Sequence, residues 1–361
     1  MAEIRIENLV KIFPGGTRAV DGVSFNVANG EFLVMLGPSG CGKTTTLRSV
    51  AGLERQTSGD IYIGPRLVND LPPADRDIAF VFQFYALYPH LKVYDNIAFP
   101  LKAAGVPVEE IHQRVLSVAK MLKIDELLNR RPSRLPAGEQ QRVALGRAII
   151  RRPQVFLLDE PLTNLDPAMR VIMRGELKRL HQEIGTTTLY VTHDQTEAMS
   201  LGQRVAVMNQ GKLEQLDTPL NIYDHPATLF VAGFIGSPPM NLVPVQLAEG
   251  PALVNSTKAF CLPISEELAG ILPKGEALML GARSEDLHIS PNLSFGEIRA
   301  EVEVFEPLGD ENVYSLRFEG GHKLLAKTPP TLELAPGTPV GVHFDQNRLH
   351  VFESSSGRAM R

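Results

Sequence analysis

At 361 residues the chain is too long for one ordinary domain and suits two. Hydrophobic residues at 43% and charged residues at 21% exclude extended disorder, and a net charge of −5 gives no bulk attraction to nucleic acid, so no nucleic-acid partner is expected. Two cysteines far apart, Cys41 and Cys261, fit a reducing compartment rather than a disulfide framework; residues 1–20 read as mature structure, and no run of about 18 apolar residues occurs, so a membrane role requires a separate partner.

In chain order, Ile4, Ile6 and Leu9, then Val23, Phe25 and Val27, alternate with polar residues as half-buried strands do. Phe32 to Leu36 is continuously apolar, the pattern of a central parallel strand covered on both faces, and it feeds directly into Gly37. A helix is predicted from Thr44 to about Ala51, ending at Gly52. Ile111, Val115, Val118 and Leu122 recur at helical spacing and mark residues 90–150 as a mostly helical insertion. Val155 to Leu158 and Thr188 to Val191 are further buried strands, separated by a helix over about 168–183, so the first part is an α/β core. After about Gly236 the texture changes to short alternating segments punctuated by prolines, among them 277–280, 301–305, 313–318 and 348–352, which predict a small β-rich barrel.

Gly37-Pro38-Ser39-Gly40-Cys41-Gly42-Lys43-Thr44 matches G-x-x-x-x-G-K-[ST] between a buried strand and a helix. Small residues let successive main-chain N–H groups point at phosphates, and the dipole of the following helix adds positive potential. The segment therefore reads as the phosphate site of a nucleoside triphosphate, taken as ATP, with Lys43 reaching the β- and γ-phosphates and Thr44 holding Mg2+. Cys41 is read as a small filler. Asp159-Glu160 follow four apolar residues, at the strand edge where open α/β sheets bind ligands. Asp159 suits Mg2+ coordination and Glu160 the polarising of an attacking water, although an isolated Asp-Glu pair is more often a solvated strand end.

Leu135-Pro136-Ala137-Gly138-Glu139, followed by Gln140-Gln141-Arg142, precedes this pair. The order of phosphate loop, Gln83, that segment, Asp159-Glu160, Asn164-Leu165-Asp166 and His193 resembles the nucleotide-binding subunit of ABC transporters over essentially the whole chain. The resemblance implies a P-loop NTPase cassette with a helical subdomain, and two ATP molecules sandwiched between head-to-tail cassettes, hence a dimer, read here as a homodimer. It implies nucleotide contacts from Gly37, Pro38, Ser39, Gly40, Cys41, Gly42, Lys43, Thr44 and Thr45, and from Leu135 and Gly138 of the signature segment. It further implies that Asp166 couples the two sites, that Gln83 senses Mg2+ and the attacking water, and that His193 contacts the γ-phosphate beside Glu160. Phe13, before Pro14-Gly15-Gly16, would stack on adenine. Singly, Gln83 and His193 are ordinary polar loop residues and Phe13 an ordinary core aromatic; their order raises the first two.

The signature segment departs from the usual Leu-Ser-Gly-Gly-Gln at three of five positions. The serine hydroxyl, a γ-phosphate donor, is replaced by Pro136, which lacks an N–H but whose fixed φ suits a helix start, and Glu139 brings negative charge to that helix N-terminus. Slower but real ATP hydrolysis is expected.

Phe230 to Asn241, with Gly236-Ser237-Pro238-Pro239, looks like the junction of the sugar-import ATPases related to the maltose transporter's ATPase. Gly281-Ala282-Arg283-Ser284-Glu285-Asp286-Leu287 resembles their Gly-Ile-Arg-Pro-Glu motif. The implied organisation is an ATPase domain over 1–236 and an OB-like (TOBE-type) regulatory barrel over 237–361. The implied function is energising import of sugars, oligosaccharides or glycerol phosphates from the cytoplasmic face of the membrane, with permease subunits that dock near Phe84 to Leu87 and, indirectly, an extracytoplasmic solute-binding protein. Importers of polyamine, iron or inorganic anions, a soluble ABC ATPase of translation or repair, and a regulatory ATP-binding protein of poor turnover are the competing readings.

Overall fold

The computed structural model describes residues 2–256, 260–318 and 322–360. The chain divides into two units, Met1–Leu220 and Asn221–Arg361.

In the first unit the elements run β1 (Ile4–Ile12), β2 (Arg18–Val27), β3 (Phe32–Leu36), α1 (Lys43–Ala51), β4 (Ser58–Ile63), β5 (Arg66–Leu67), β6 (Ile78–Val81), α2 (Val93–Ala103), α3 (Val108–Met121), α4 (Ala137–Ile149), β7 (Val155–Asp159), α5 (Pro167–Ile184), β8 (Thr187–Thr192), α6 (Gln195–Leu201), β9 (Arg204–Asn209) and β10 (Lys212–Asp217). Every residue of β3, β7 and β8 is buried, as the continuous apolar runs require. They form the centre of a six-stranded sheet, β10-β9-β3-β8-β7-β6, parallel except for the β9–β10 hairpin. The alternating strands β1 and β2 join β4 and β5 in a separate antiparallel sheet. Helix α1 fills the space between the sheets: Leu47, Val50 and Ala51 share one core with Ile4, Ile6 and Leu9 on one side and Leu33, Met35 and Leu157 on the other.

The predicted helical insertion is α2, α3 and α4, with Ile111, Val115, Ala119 and Leu122 buried and Val118 half-buried. Parallel register decides what shares the functional edge of the sheet. Leu36 pairs with Thr192, Asp159 with Val191 and Val81 with Leu158, so the residues after β3, β8, β7 and β6 emerge together.

The second unit contains two antiparallel sheets of six and five strands around one core that includes Phe260, Tyr314, Phe344 and Val342. Strands Leu278–Ala282, Ile298–Pro307, Asn312–Phe318 and His350–Glu353 overlap the predicted segments. A short helix, Glu266–Ile271, capped by the Ser265 hydroxyl accepting from Leu268 N at 3.2 Å, interrupts the β texture. Residues 221–235 also belong to this unit, which therefore begins ahead of the composition change near 236. Helix Leu229–Phe234 places Ala232 against Met240 and Phe352, a packing that a search for proline and strand texture does not see. Among the described residues no helix is long and apolar enough to cross a membrane.

Candidate nucleotide site

The loop after β3 owes its path to two glycines that no other residue could replace without displacement. Gly42, the residue before α1, has φ +101°, and a Cβ there would lie 2.3 Å from Ala19 O; at Gly37 a Cβ would lie 2.3 Å from Met208 O. The loop is thus clamped between β2 and β9. Ser39 and Gly40 are exposed at its crest, Pro38 is half-buried, and Cys41 is buried beneath it. Lys43 is 4% exposed, its ammonium donating to Gly37 O at 2.8 Å and Pro38 O at 2.9 Å and lying 3.6 Å from Cys41 Sγ. This places the cation inside the curl of the loop, with Thr44 and Thr45 half-buried in the first turn of α1.

The Thr44 hydroxyl donates to Asp159 Oδ1 at 3.0 Å, which joins the helix start to the end of β7, and Arg48 stands 3.7 Å from Asp159 Oδ2. Burial pushes the Asp159 carboxyl above its ordinary range, while the Thr44 hydrogen bond and then Arg48 pull the other way. Hydroxyl and carboxylate oxygens suit a hard divalent cation. Among the described residues no three His, Cys, Asp or Glu side chains converge as a metal cage, so a cation here would draw its remaining ligands from phosphate and water.

Glu160 turns the chain off β7 with φ +45°, yet its N–H still reaches Val191 O at 3.0 Å. Its Oε2 accepts from the Thr163 hydroxyl at 3.2 Å and lies 3.1 Å from His193 Nδ1, bringing the predicted base and the predicted γ-phosphate contact together. Behind His193, the buried Glu197 carboxylate accepts from Tyr190 and Thr192 hydroxyls, both at 2.7 Å, which fixes the end of β8; burial raises the Glu197 carboxyl pKa. Gln83, two residues past β6, has its carbonyl held by Asn164 Nδ2 at 2.7 Å. Asp166 caps α5 by accepting from Met169 N at 2.9 Å.

The structure also supplies a residue that the sequence did not mark. Arg170 donates to Leu165 O at 3.0 Å and Thr163 O at 2.9 Å and lies 3.8 Å from Asp194, so it ties the 163–166 loop to the loop bearing His193. Its partners are mainly main-chain carbonyls, which carry no sequence signal.

Three predicted contacts lie outside this cluster of bonds. Phe13 sits half-buried at the tip of the β1–β2 hairpin with the Lys11 ammonium 4.9 Å from its ring centroid, and it is not a member of the core between the sheets. Leu135 is buried and its carbonyl accepts from Gln140 Nε2 at 2.9 Å. Gly138, in the first turn of α4, is buried against Met169, whose Sδ would lie 3.0 Å from an added Cβ. Pro136 is the residue before the first helical one, so its missing N–H costs α4 no internal bond. Glu139 has one carboxylate oxygen buried without a hydrogen-bond partner.

Comparison with known proteins gives the family. Residues 20–163 match the ABC transporter family, 236–287 the MalK OB fold domain and 280–352 the TOBE domain. The chain is 50% identical to the trehalose/maltose import ATP-binding protein MalK of Thermococcus litoralis, covering all of both chains. It is 47% identical to the sn-glycerol-3-phosphate import ATP-binding protein UgpC of Cupriavidus pinatubonensis and 45% identical to the oligosaccharides import ATP-binding protein MsmX of Bacillus subtilis, in each case over 99% of both chains. Among solved structures, the dimeric post-hydrolysis state of the ATP-binding cassette MJ0796 bound to ADP and Pi superimposes with a TM-score of 0.55 at 33% identity, over 60% of this chain and 98% of that one. With similarity sustained from end to end and all three domain matches in place, this chain belongs to the ABC transporter family, among its import ATP-binding proteins with a MalK-type OB domain.

Proposed function

We propose that this protein is the ATP-hydrolysing subunit of an importer of sugars, oligosaccharides or glycerol phosphates, working at the cytoplasmic face of the membrane as a homodimer beneath permease subunits, with an extracytoplasmic solute-binding protein delivering the solute. The observation that carries the reading is the convergence of Lys43, Thr44–Asp159, Glu160–His193 and Gln83 on one edge of the parallel sheet, in a chain similar over its full length to import ATP-binding proteins.

In this reading the loop amides and Lys43 hold the phosphates, Thr44 and Asp159 hold Mg2+, and Phe13 stacks on adenine. The metal, when bound, neutralises charge on the phosphate oxygens. Glu160 orients and deprotonates the attacking water, His193 keeps the Glu160 carboxylate in place and contacts the γ-phosphate, and Gln83 reports the state of the site. Leu135, Gly138 and Asp166 act across the dimer on the second nucleotide. The assay is Mg2+-dependent phosphate release by purified protein together with solute uptake by the assembled importer; phosphate release with no uptake of any of these solutes would remove the import half of the reading.

The permease socket is proposed around Phe84, which is 75% exposed. Tyr85 and Ala86 adopt φ +57° and +48°, and Arg147 pins both carbonyls, donating at 2.9 Å and 2.7 Å. Strained backbone held by a dedicated guanidinium, directly after Gln83, suits a point where contact outside is transmitted to the site. The 237–361 barrel is proposed as a scaffold for dimer contact and regulation.

Two predictions arise here. Arg170→Ala should lower kcat about ten-fold with KM for ATP nearly unchanged, because about 1.4 kcal/mol of loop positioning is lost from the reacting state alone; a proportionate rise in KM would reassign Arg170 to substrate binding. Restoring Ser at 136 and Gly at 137 should raise turnover by supplying the missing γ-phosphate donor, and an unchanged rate removes that account of the signature segment.

A further inference from the structure

The second unit holds a concavity of about 420 Å3, within the size range of small-molecule sites. One wall is apolar, formed by Leu268, Ile271 and Met360. Two of the ionic groups lining it are already committed: Arg348 to Asp224 at 3.3 Å, and Glu285 to the Tyr223 hydroxyl and, at 3.1 Å, the Ser284 hydroxyl. Arg283 donates to Tyr223 O at 2.7 Å and lies 3.8 Å from the Tyr223 ring centroid.

What remains uncommitted is polar and of both senses. The carboxylate of Asp286 and the amide of Asn347 have no side-chain hydrogen bond among the described residues. Arg283 is 3% exposed, and its Nε is buried without an acceptor. His350 is lowered to about 4 by burial first and then by Arg283 and His225, so near neutral pH it is an uncharged ring offering one donor and one acceptor. An anionic ligand would meet the Asp286 carboxylate with Arg348 already paired, and a cationic one would meet Arg283 and Arg348. Hydroxyl groups, each donor and acceptor at once, suit this set, and the apolar wall suits the C–H face of a pyranose.

We propose that this concavity binds a neutral sugar, a mono- or disaccharide, through Asp286, Asn347 and His350, with the ring laid on Leu268 and Ile271. The site is lined wholly by residues of the second unit and makes that unit a sensor of sugar. The test is calorimetric titration of the full chain with glucose, maltose and inorganic phosphate. Saturable binding of glucose or maltose at one site per chain is expected, unchanged in Lys43→Ala and weakened by ~10-fold or more in both Asp286→Ala and His350→Ala, two variants that should retain wild-type ATP affinity as a check of folding. No saturable sugar binding, equal affinity in both pocket variants, or phosphate occupying the site in place of sugar would overturn it. Any of these results in a protein that still hydrolyses ATP leaves the import reading standing.

Discussion

Glu160→Gln is expected to lower ATP turnover by ~10²–10⁴-fold, the range for losing a positioned general base, while ATP affinity is retained. The amide is nearly the same size and can still accept from the Thr163 hydroxyl, so the loop after β7 should hold its path. What disappears is the negative charge beside His193, which in the proposed role draws a proton from water. The split between turnover and affinity carries the argument: single-turnover phosphate release with direct nucleotide binding on the same preparation measures both. Turnover within a few-fold of wild type would show that Glu160 does not act on the water.

The second large effect is expected from one methyl group. In Gly42→Ala the new Cβ would lie 2.3 Å from Ala19 O on a residue with φ +101°, and its neighbour is strand backbone that cannot swing aside. Either the loop after β3 or β2 must move, and a shift of the loop would displace the main-chain N–H groups proposed to hold the phosphates. ATP binding should be lost at millimolar nucleotide, and the folded state should weaken by about 1–2 kcal/mol from the left-handed backbone alone. Equilibrium nucleotide binding and thermal unfolding report the two consequences separately; wild-type affinity would mean that the loop tolerates a shift that this packing forbids.

Of the parallel strands, β3, β7 and β8, together with α1 and the loop after β3, were legible in the sequence because their signals are local, such as five apolar residues in β3, a glycine-rich turn, then Lys43-Thr44; β6 and β9 were not read as strands. The meeting of Glu160 with His193 was legible only through the order of motifs, since 33 residues separate them and strand register brings them together. Arg170 and Asn164 were not legible as positioning residues, because each acts chiefly on main-chain carbonyls that any sequence supplies. The packing of helix Leu229–Phe234, through Ala232 on Phe352, was not legible for a related reason: that helix carries no proline or strand texture.

The most direct test is equilibrium binding of ATP to the full chain with and without Mg2+, in wild type and in Lys43→Ala. Saturable, magnesium-strengthened binding that the substitution abolishes is the predicted result. Affinity for ATP that is absent from the wild type, or that survives intact without the Lys43 ammonium, would contradict a nucleotide site built on this loop.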